Sequence, residues 1–182
     1  MSRGRWAASN NYWMIVFHVS EEPDIEVFEP RKFDATGELF VWAIDDERLC
    51  NYLVPRDCPR VTFYAGPHTT DADRERFLGA SPAVVAIEAA WFERVRSGRL
   101  FCYHLPGETF ECADTTAGYF VSRTAVKPMS VTIVEDPLCA VLQRGVELRM
   151  LPNLWSLRNS VIASTLEFSV IRWRNALPQQ AA

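Results

Sequence analysis

The first apolar run of the sequence ends in two side chains that could contact a ligand. Residues 15–20 read Ile-Val-Phe-His-Val-Ser, and the acidic residues that follow cannot continue a buried strand. This pattern predicts a strand that delivers the imidazole of His18 and the hydroxyl of Ser20 to the rim of a sheet. Both groups can hydrogen-bond the hydroxyls of a ribose there. The alternative is that His18 is a structural residue whose ring is satisfied within the fold.

Trp42 and Asp114 could complete a site of this kind. Trp42 lies in the apolar run 39–44, and Asp114 follows a later predicted strand. An indole can stack on a nicotinamide or a base, and a carboxylate can stabilise the cation that develops at an anomeric carbon. With an imidazole and a hydroxyl nearby, these residue types suit a sugar-nucleotide ligand. Alternatively, Trp42 is a core residue, and Asp114, which precedes two threonines, is a turn or capping residue.

Residues 52–60 form an unusual connector. Two prolines stiffen it and hold Arg56, Asp57 and Arg60 close together. Because the guanidinium fork matches phosphate geometry, one interpretation is a loop in which Arg56 contacts the phosphates of a nucleotide. The alternative is an Arg–Asp pair that braces an inserted segment.

Composition and missing motifs exclude several classes of protein. There is no P-loop, GxGxxG, GxSxG or HExxH motif, and the five cysteines have no zinc-type spacing, so we predict no metal site. A net charge of −4 argues against general nucleic-acid binding. An odd number of cysteines, no signal-peptide pattern and no long apolar stretch predict a cytoplasmic protein that does not engage a membrane. A nucleophilic Cys–His pair stays open, because such partners are adjacent only in space.

The strands and helices predicted from the sequence, which must position these residues, indicate a mixed α+β fold. We interpret residues 1–12 as a flexible tail and 13–182 as a single globular domain. Predicted strands cover 13–19, 39–44, 60–64, 83–89, 100–105, 118–121, 131–134 and 146–149. Predicted helices cover 45–53, 71–78, 91–95, 137–144 and, from a broad apolar face without Gly or Pro, a C-terminal helix at 154–175.

Three stretches resemble an uncharacterised bacterial family, one of the domains of unknown function. They are residues 18–25 (HVSEEPDI), 51–60 (NYLVPRDCPR) and 118–122 (GYFVS). The resemblance covers nearly the whole chain after residue 13, but it implies no function.

The order of three other segments is similar to small ADP-ribosyltransferases of the rifampin-modifying type. They are residues 17–20, residues 41–44, and residues 99–114 with their acidic end. The resemblance implies an ADP-ribosyltransferase-like mixed sheet core that uses NAD as substrate. It implies that His18 and Ser20 hold the nicotinamide ribose or amide, that Trp42 stacks on the nicotinamide, and that Asp114 lies near the reacting carbon.

Departures from that pattern leave two functions open. Val19 replaces the usual glycine, Trp42 replaces the usual tyrosine, and a segment is inserted between Ile44 and Arg99. We expect either an NAD-binding protein that transfers ADP-ribose to an unknown acceptor, or a non-catalytic small-ligand or protein-binding domain on the same fold. In the first case the expected catalytic residues are His18, Trp42 and Asp114, and the expected NAD contacts are His18, Ser20, Trp42 and Arg56.

Overall fold

The computed structural model describes residues 14–33 and 37–179, and within them the chain forms eleven strands. The predicted tail at 1–12 lies outside the described residues. The strands in chain order are β1 (Ile15–Ser20), β2 (Arg31–Lys32), β3 (Leu39–Ile44), β4 (Arg60–Tyr64), β5 (Ala83–Glu88), β6 (Leu100–Pro106), β7 (Glu111–Asp114), β8 (Tyr119–Ser122), β9 (Ser130–Val134), β10 (Glu147–Leu151) and β11 (Glu167–Ile171). All eight predicted strands are confirmed, with ends shifted by no more than two residues.

Four α-helices connect these strands in the described part of the chain. They are α1 (Asp71–Phe77), α2 (Phe92–Arg96), α3 (Pro137–Gln143) and α4 (Trp155–Ile162). The Thr70 hydroxyl caps α1 by accepting from the backbone N–H of Asp73, and Asp136 caps α3 ahead of a proline at its first position. The helices predicted at 71–78, 91–95 and 137–144 are confirmed.

The helix predicted at 45–53 is wrong in type and length. Only a short 3-10 helix forms there, at Leu49–Tyr52. The Asp45 carboxylate accepts from the backbone N–H of Arg48 at 2.8 Å, which stabilises a turn directly after β3. Pro55 follows too soon for a longer helix.

The larger sheet contains seven strands, all paired antiparallel. Its order is β7-β8-β3-β1-β6-β9, and β2 pairs with β3 outside this path. One face carries a core cluster that includes Val16, Val41 and Tyr103.

The smaller sheet has four strands in the order β10-β5-β4-β11, with β10 parallel to β5 and the other pairs antiparallel. A second core cluster contains Ile44 and Cys102 of the larger sheet together with Val85 and Ile87 of the smaller one. Burial of these side chains holds the two sheets together. The mixed α+β class is therefore confirmed.

The C-terminal helix predicted at 154–175 is wrong. Helix α4 ends at Ile162, where the Ser164 hydroxyl donates to the carbonyl of Val161 at 2.6 Å. Thr165 bonds the Asp73 carboxylate through both its N–H and its hydroxyl, each at 2.7 Å, and β11 then pairs with β4 over five residues. The strand ladder, together with this turn, outweighs the local helical spacing because it satisfies the backbone of residues 167–171.

Candidate functional site

A cavity occupies the place where β1 and β3 separate. Strand β1 pairs with β6 at six positions but with β3 only at Phe17 and Ile44. At the other end of β3, Phe40 and Leu39 pair with β2 instead. The cavity beside this gap has a volume of about 860 Å³. That volume lies within the usual range of small-ligand sites.

All five site residues predicted from the sequence line this one cavity: His18, Ser20, Trp42, Arg56 and Asp114. They come from four segments that are far apart in the chain, namely β1, β3, the loop before β4, and the end of β7. The structure therefore brings together every residue that the sequence analysis expected to contact NAD or to act in catalysis.

His18 bridges the gap between the two separating strands. Its Nδ1–H donates to the backbone carbonyl of Trp42 at 2.8 Å, and its ring packs on Phe28 with centroids 4.7 Å apart. Because a carbonyl only accepts, this bond fixes the proton on Nδ1 and leaves Nε2 as an acceptor in the neutral ring. Burial lowers the pKa of His18, and the nearby charges of Arg56 and Arg31 lower it further.

The lowered pKa of His18 predicts a measurable pH dependence of stability. The unfolded state takes up a proton on His18 as the pH falls through the ordinary value of 6.5, whereas the folded state does not until a lower pH. The free energy of unfolding should therefore decrease below that pH. We expect the His18→Asn variant, which keeps an N–H donor near the Nδ1 position but does not titrate, to lose less stability than the wild type between about pH 7.5 and pH 5.5 in urea denaturation.

The matched control for this experiment is His104→Asn. His104 lies on β6, where its Nε2 bonds the Thr132 hydroxyl at 3.0 Å outside the cavity. This variant shows what removing a histidine outside the cavity does to the pH profile. Identical pH profiles for His18→Asn and the wild type would contradict the lowered pKa of His18.

A turn held by side chains shapes the cavity next to Ser20. The Ser20 Oγ accepts from the backbone N–H of Glu22 at 3.0 Å, so its hydroxyl proton remains available as a donor. The buried Tyr103 hydroxyl donates to the carbonyl of Glu22 at 2.8 Å and accepts from the N–H of Ile25 at 3.1 Å. Between them Asp24 adopts a left-handed φ of 59°. These contacts fix the turn that follows β1.

Aromatic side chains form one wall of the cavity around Trp42. Its ring lies 5.1 Å from Phe33, 6.0 Å from Phe40 and 5.8 Å from Tyr119, measured between centroids, with interplanar angles of 54°, 78° and 89°. None of these three rings stacks in parallel on the indole. The wall is therefore built from tilted and edge-on ring contacts around the indole.

The imidazole and the indole approach the cavity from different faces of the sheet. Val41 and Ala43 pack in one cluster with Val16. Because side chains alternate along a strand, His18 shares the face of Val16, whereas Trp42 points to the other face of β3. The cavity therefore reaches both faces at the gap, and a ligand that contacts both side chains must span this gap.

Asp114 combines a turn function with a position on the cavity wall. Its Oδ1 accepts from the backbone N–H of Ala117 at 2.9 Å, the turn interaction that the sequence left as an alternative. Gly118 then packs against Asp45, whose N–H donates to its carbonyl at 3.0 Å. No other described side chain bonds the second carboxylate oxygen of Asp114. That oxygen is available to a ligand.

The arginine loop does not contain the Arg–Asp pair proposed as an alternative. Among the described residues, neither Arg56 nor Arg60 forms an ion pair with Asp57. Arg60 is buried and lines the cavity together with Arg56. An arginine at the start of a buried apolar strand was the sequence signal that could have placed Arg60 in the site.

Arg172 is a cavity residue that the predicted C-terminal helix at 154–175 did not place in the site. It follows β11 with a left-handed φ of 53° and lines the cavity. No local sequence pattern could have revealed this, because the position depends on the pairing of β11 with β4.

Comparison with known proteins assigns a family but no activity. A family model, described as a family of unknown function (DUF6886), matches residues 17–176. The chain belongs to this family. The predicted resemblance to a domain of unknown function is therefore confirmed. The matched range includes all of the cavity residues named above. No curated protein and no solved structure matches the chain.

Two further findings concern the described residues only. No group of three or more His, Cys, Asp or Glu side chains among them could hold a metal ion. None of the helices in this part of the chain has the length and apolar character that crossing a membrane requires.

Proposed function

We propose that the cavity binds NAD and that the protein transfers ADP-ribose to an acceptor. The observation that supports this most strongly is that His18, Ser20, Trp42, Arg56 and Asp114 line a single cavity. Each residue type matches one part of the dinucleotide.

In this proposal the side chains first bind and orient the NAD. The Nε2 of His18 accepts from a ribose hydroxyl and the Ser20 hydroxyl donates to the ribose or the amide. Trp42 stacks on the nicotinamide, and Arg56, which has no ion-pair partner among the described residues, contacts the diphosphate. Positioning of this kind lowers the entropic barrier to reaction.

The transfer step places positive charge near Asp114. The bond between the anomeric carbon and the nicotinamide nitrogen breaks, and its electron pair leaves with the neutral nicotinamide. The resulting oxocarbenium-like centre is stabilised by the free oxygen of the Asp114 carboxylate. A lone pair of the acceptor then forms the new bond to the anomeric carbon, and the acceptor loses a proton.

Isothermal calorimetry with NAD tests the binding step. We expect saturable binding to the wild type and a loss of about tenfold or more in affinity for His18→Ala, since the variant lacks one hydrogen bond in the cavity. His104→Ala is the matched control and should bind like the wild type. Absence of binding for both NAD and ADP-ribose would overturn the proposal.

A non-catalytic binding domain is the second candidate. Two observations favour it: Trp42 already contacts three aromatic rings, and one Asp114 oxygen is used by the turn. Binding of NAD without any release of nicotinamide in the presence of candidate acceptors would support this candidate over a transferase.

A further inference from the structure

Arg60 is a buried cation without an acidic partner. Its side chain is only 1% exposed, and its Nη1 donates to the carbonyl of Cys58 at 2.8 Å, with longer contacts to Pro55 at 3.4 Å and Arg56 at 3.5 Å. Its Nε is buried and has no hydrogen-bond partner. Burying a charge without a counterion is strongly unfavourable, so this arrangement needs a reason.

Arg172 adds a second positive charge next to Arg60. In the antiparallel ladder, Ile171 is the direct partner of Arg60, so Arg172 begins the segment that leaves the sheet beside it. Burial lowers the pKa of Arg60, and the like charge of Arg172 lowers it further. Arg172 also adopts the left-handed region, which is unfavourable for a residue other than glycine.

Neighbouring contacts hold this arrangement in place. The side-chain amide of Asn175 donates to the carbonyl of Asp57 at 2.7 Å, which ties the segment after β11 to the arginine loop. Glu21 accepts from the backbone N–H of Arg56 at 3.3 Å but forms its ion pair with Arg94, at 3.8 Å. Among the described residues, no carboxylate pairs with the guanidinium groups of Arg56, Arg60 or Arg172.

We propose that Arg56, Arg60 and Arg172 form a subsite for a phosphate or diphosphate group. A bound anion would supply the counterion that Arg60 lacks and would offset the repulsion between Arg60 and Arg172. This inference rests on the proposed function in that the same cavity holds the rest of the nucleotide. It goes further because it assigns Arg60 and Arg172 to the binding of the phosphates. It also requires that the anion bind without the rest of the nucleotide.

Inorganic pyrophosphate is the probe for this subsite. We expect it to raise the thermal unfolding midpoint of the wild type in a saturable way, beyond the effect of sodium chloride at the same ionic strength. Arg60→Met and Arg172→Gly should each weaken pyrophosphate binding about tenfold or more in calorimetry. Arg74→Ala, an exposed change on α1 outside the cavity, should leave it unchanged.

Measuring the stability of the variants without pyrophosphate distinguishes a binding role of these arginines from a purely structural one. Arg172→Gly removes backbone strain, so this variant should be at least as stable as the wild type without pyrophosphate. If Arg60 only braced the loop through its bonds to the loop carbonyls, Arg60→Met and Arg172→Gly would both bind pyrophosphate like the wild type. That result, or no preference of the wild type for pyrophosphate over matched salt, would overturn the inference.

The outcome for NAD is independent of the outcome for pyrophosphate. Pyrophosphate binding that depends on both arginines, without NAD binding, would support the subsite and contradict the proposed function. NAD binding of equal affinity in the wild type, Arg60→Met and Arg172→Gly would support the proposed function and overturn the subsite.

Discussion

Replacing Asp114 with asparagine is expected to lower the rate of nicotinamide release about 100- to 1,000-fold, the usual effect of removing one preorganised electrostatic contact to the reacting centre. Asparagine has the same shape and keeps a carbonyl oxygen that can accept from the N–H of Ala117, so the turn should persist. It lacks the negative charge that stabilises the oxocarbenium-like centre. NAD affinity should therefore change by less than about threefold, because the charge develops only during the reaction.

Single-turnover measurement of nicotinamide release, combined with calorimetry, tests this prediction. Glu111→Gln is the matched control, since Glu111 is an exposed acid on the same strand, β7, that does not line the cavity. Its release rate should equal that of the wild type. An unchanged rate in Asp114→Asn would leave Asp114 with the turn as its only function.

Replacing Gly118 with alanine is expected to destabilise the protein by about 2–4 kcal/mol, from a left-handed backbone penalty and loss of a capping interaction. Gly118 has a φ of 68°, and an added Cβ would lie 2.6 Å from Asp45 Oδ1 and 2.7 Å from Arg48 Cγ. The Asp45 carboxylate cannot move freely because it accepts from the N–H of Arg48. Urea denaturation at neutral pH measures the change in the free energy of unfolding.

Gly145→Ala separates the two causes of this loss. Gly145 has a similar φ of 72°, but an added Cβ there would meet nothing within 4 Å. Its cost should be the backbone penalty alone, about 1–2 kcal/mol. Equal losses in the two variants would show that the contact with Asp45 and Arg48 does not matter. A larger loss in Gly118→Ala would identify this contact as the attachment of the 114–118 turn to the end of β3.

Apolar runs bounded by polar residues predicted the strands well. The runs at 39–44 and 60–64 are rich in branched and aromatic residues and became β3 and β4 with the predicted bounds. Strand β7 was missed because its four residues, Glu-Cys-Ala-Asp, are all exposed and show no apolar pattern. Its formation depends on pairing with β8.

The helix prediction for the region after residue 154 was wrong for a related reason. Its apolar residues fit a helical face, but the break at Ser164 and Thr165 depends on a contact with Asp73, far away in the sequence. The sequence contains Val170 and Ile171, which favour a strand, yet nothing local identifies β4 as their partner. The position of Arg172 beside the cavity was missed as a consequence.

The chemistry of the candidate site was easier to predict than its geometry. Residue type and the resemblance to ADP-ribosyltransferases together indicated His18, Trp42 and Asp114, which offer an imidazole, a flat indole and a carboxylate in or beside predicted strands. The separation of β1 from β3 was not predictable, since it depends on β2 taking the place of β1 along part of β3. The bond from His18 to the carbonyl of Trp42 belongs to this separation and could not be read from either strand.

The pairing of Ile171 with Arg60 also affects the order in which the protein matures during synthesis. A nascent chain that has not reached β11 already contains the histidine and the aromatic wall, but neither the last strand of the smaller sheet nor Arg172. Contacts between such distant segments form late and slowly. A chain stalled before β11 would leave one edge of β4 unpaired, and strands of other chains could pair with that edge.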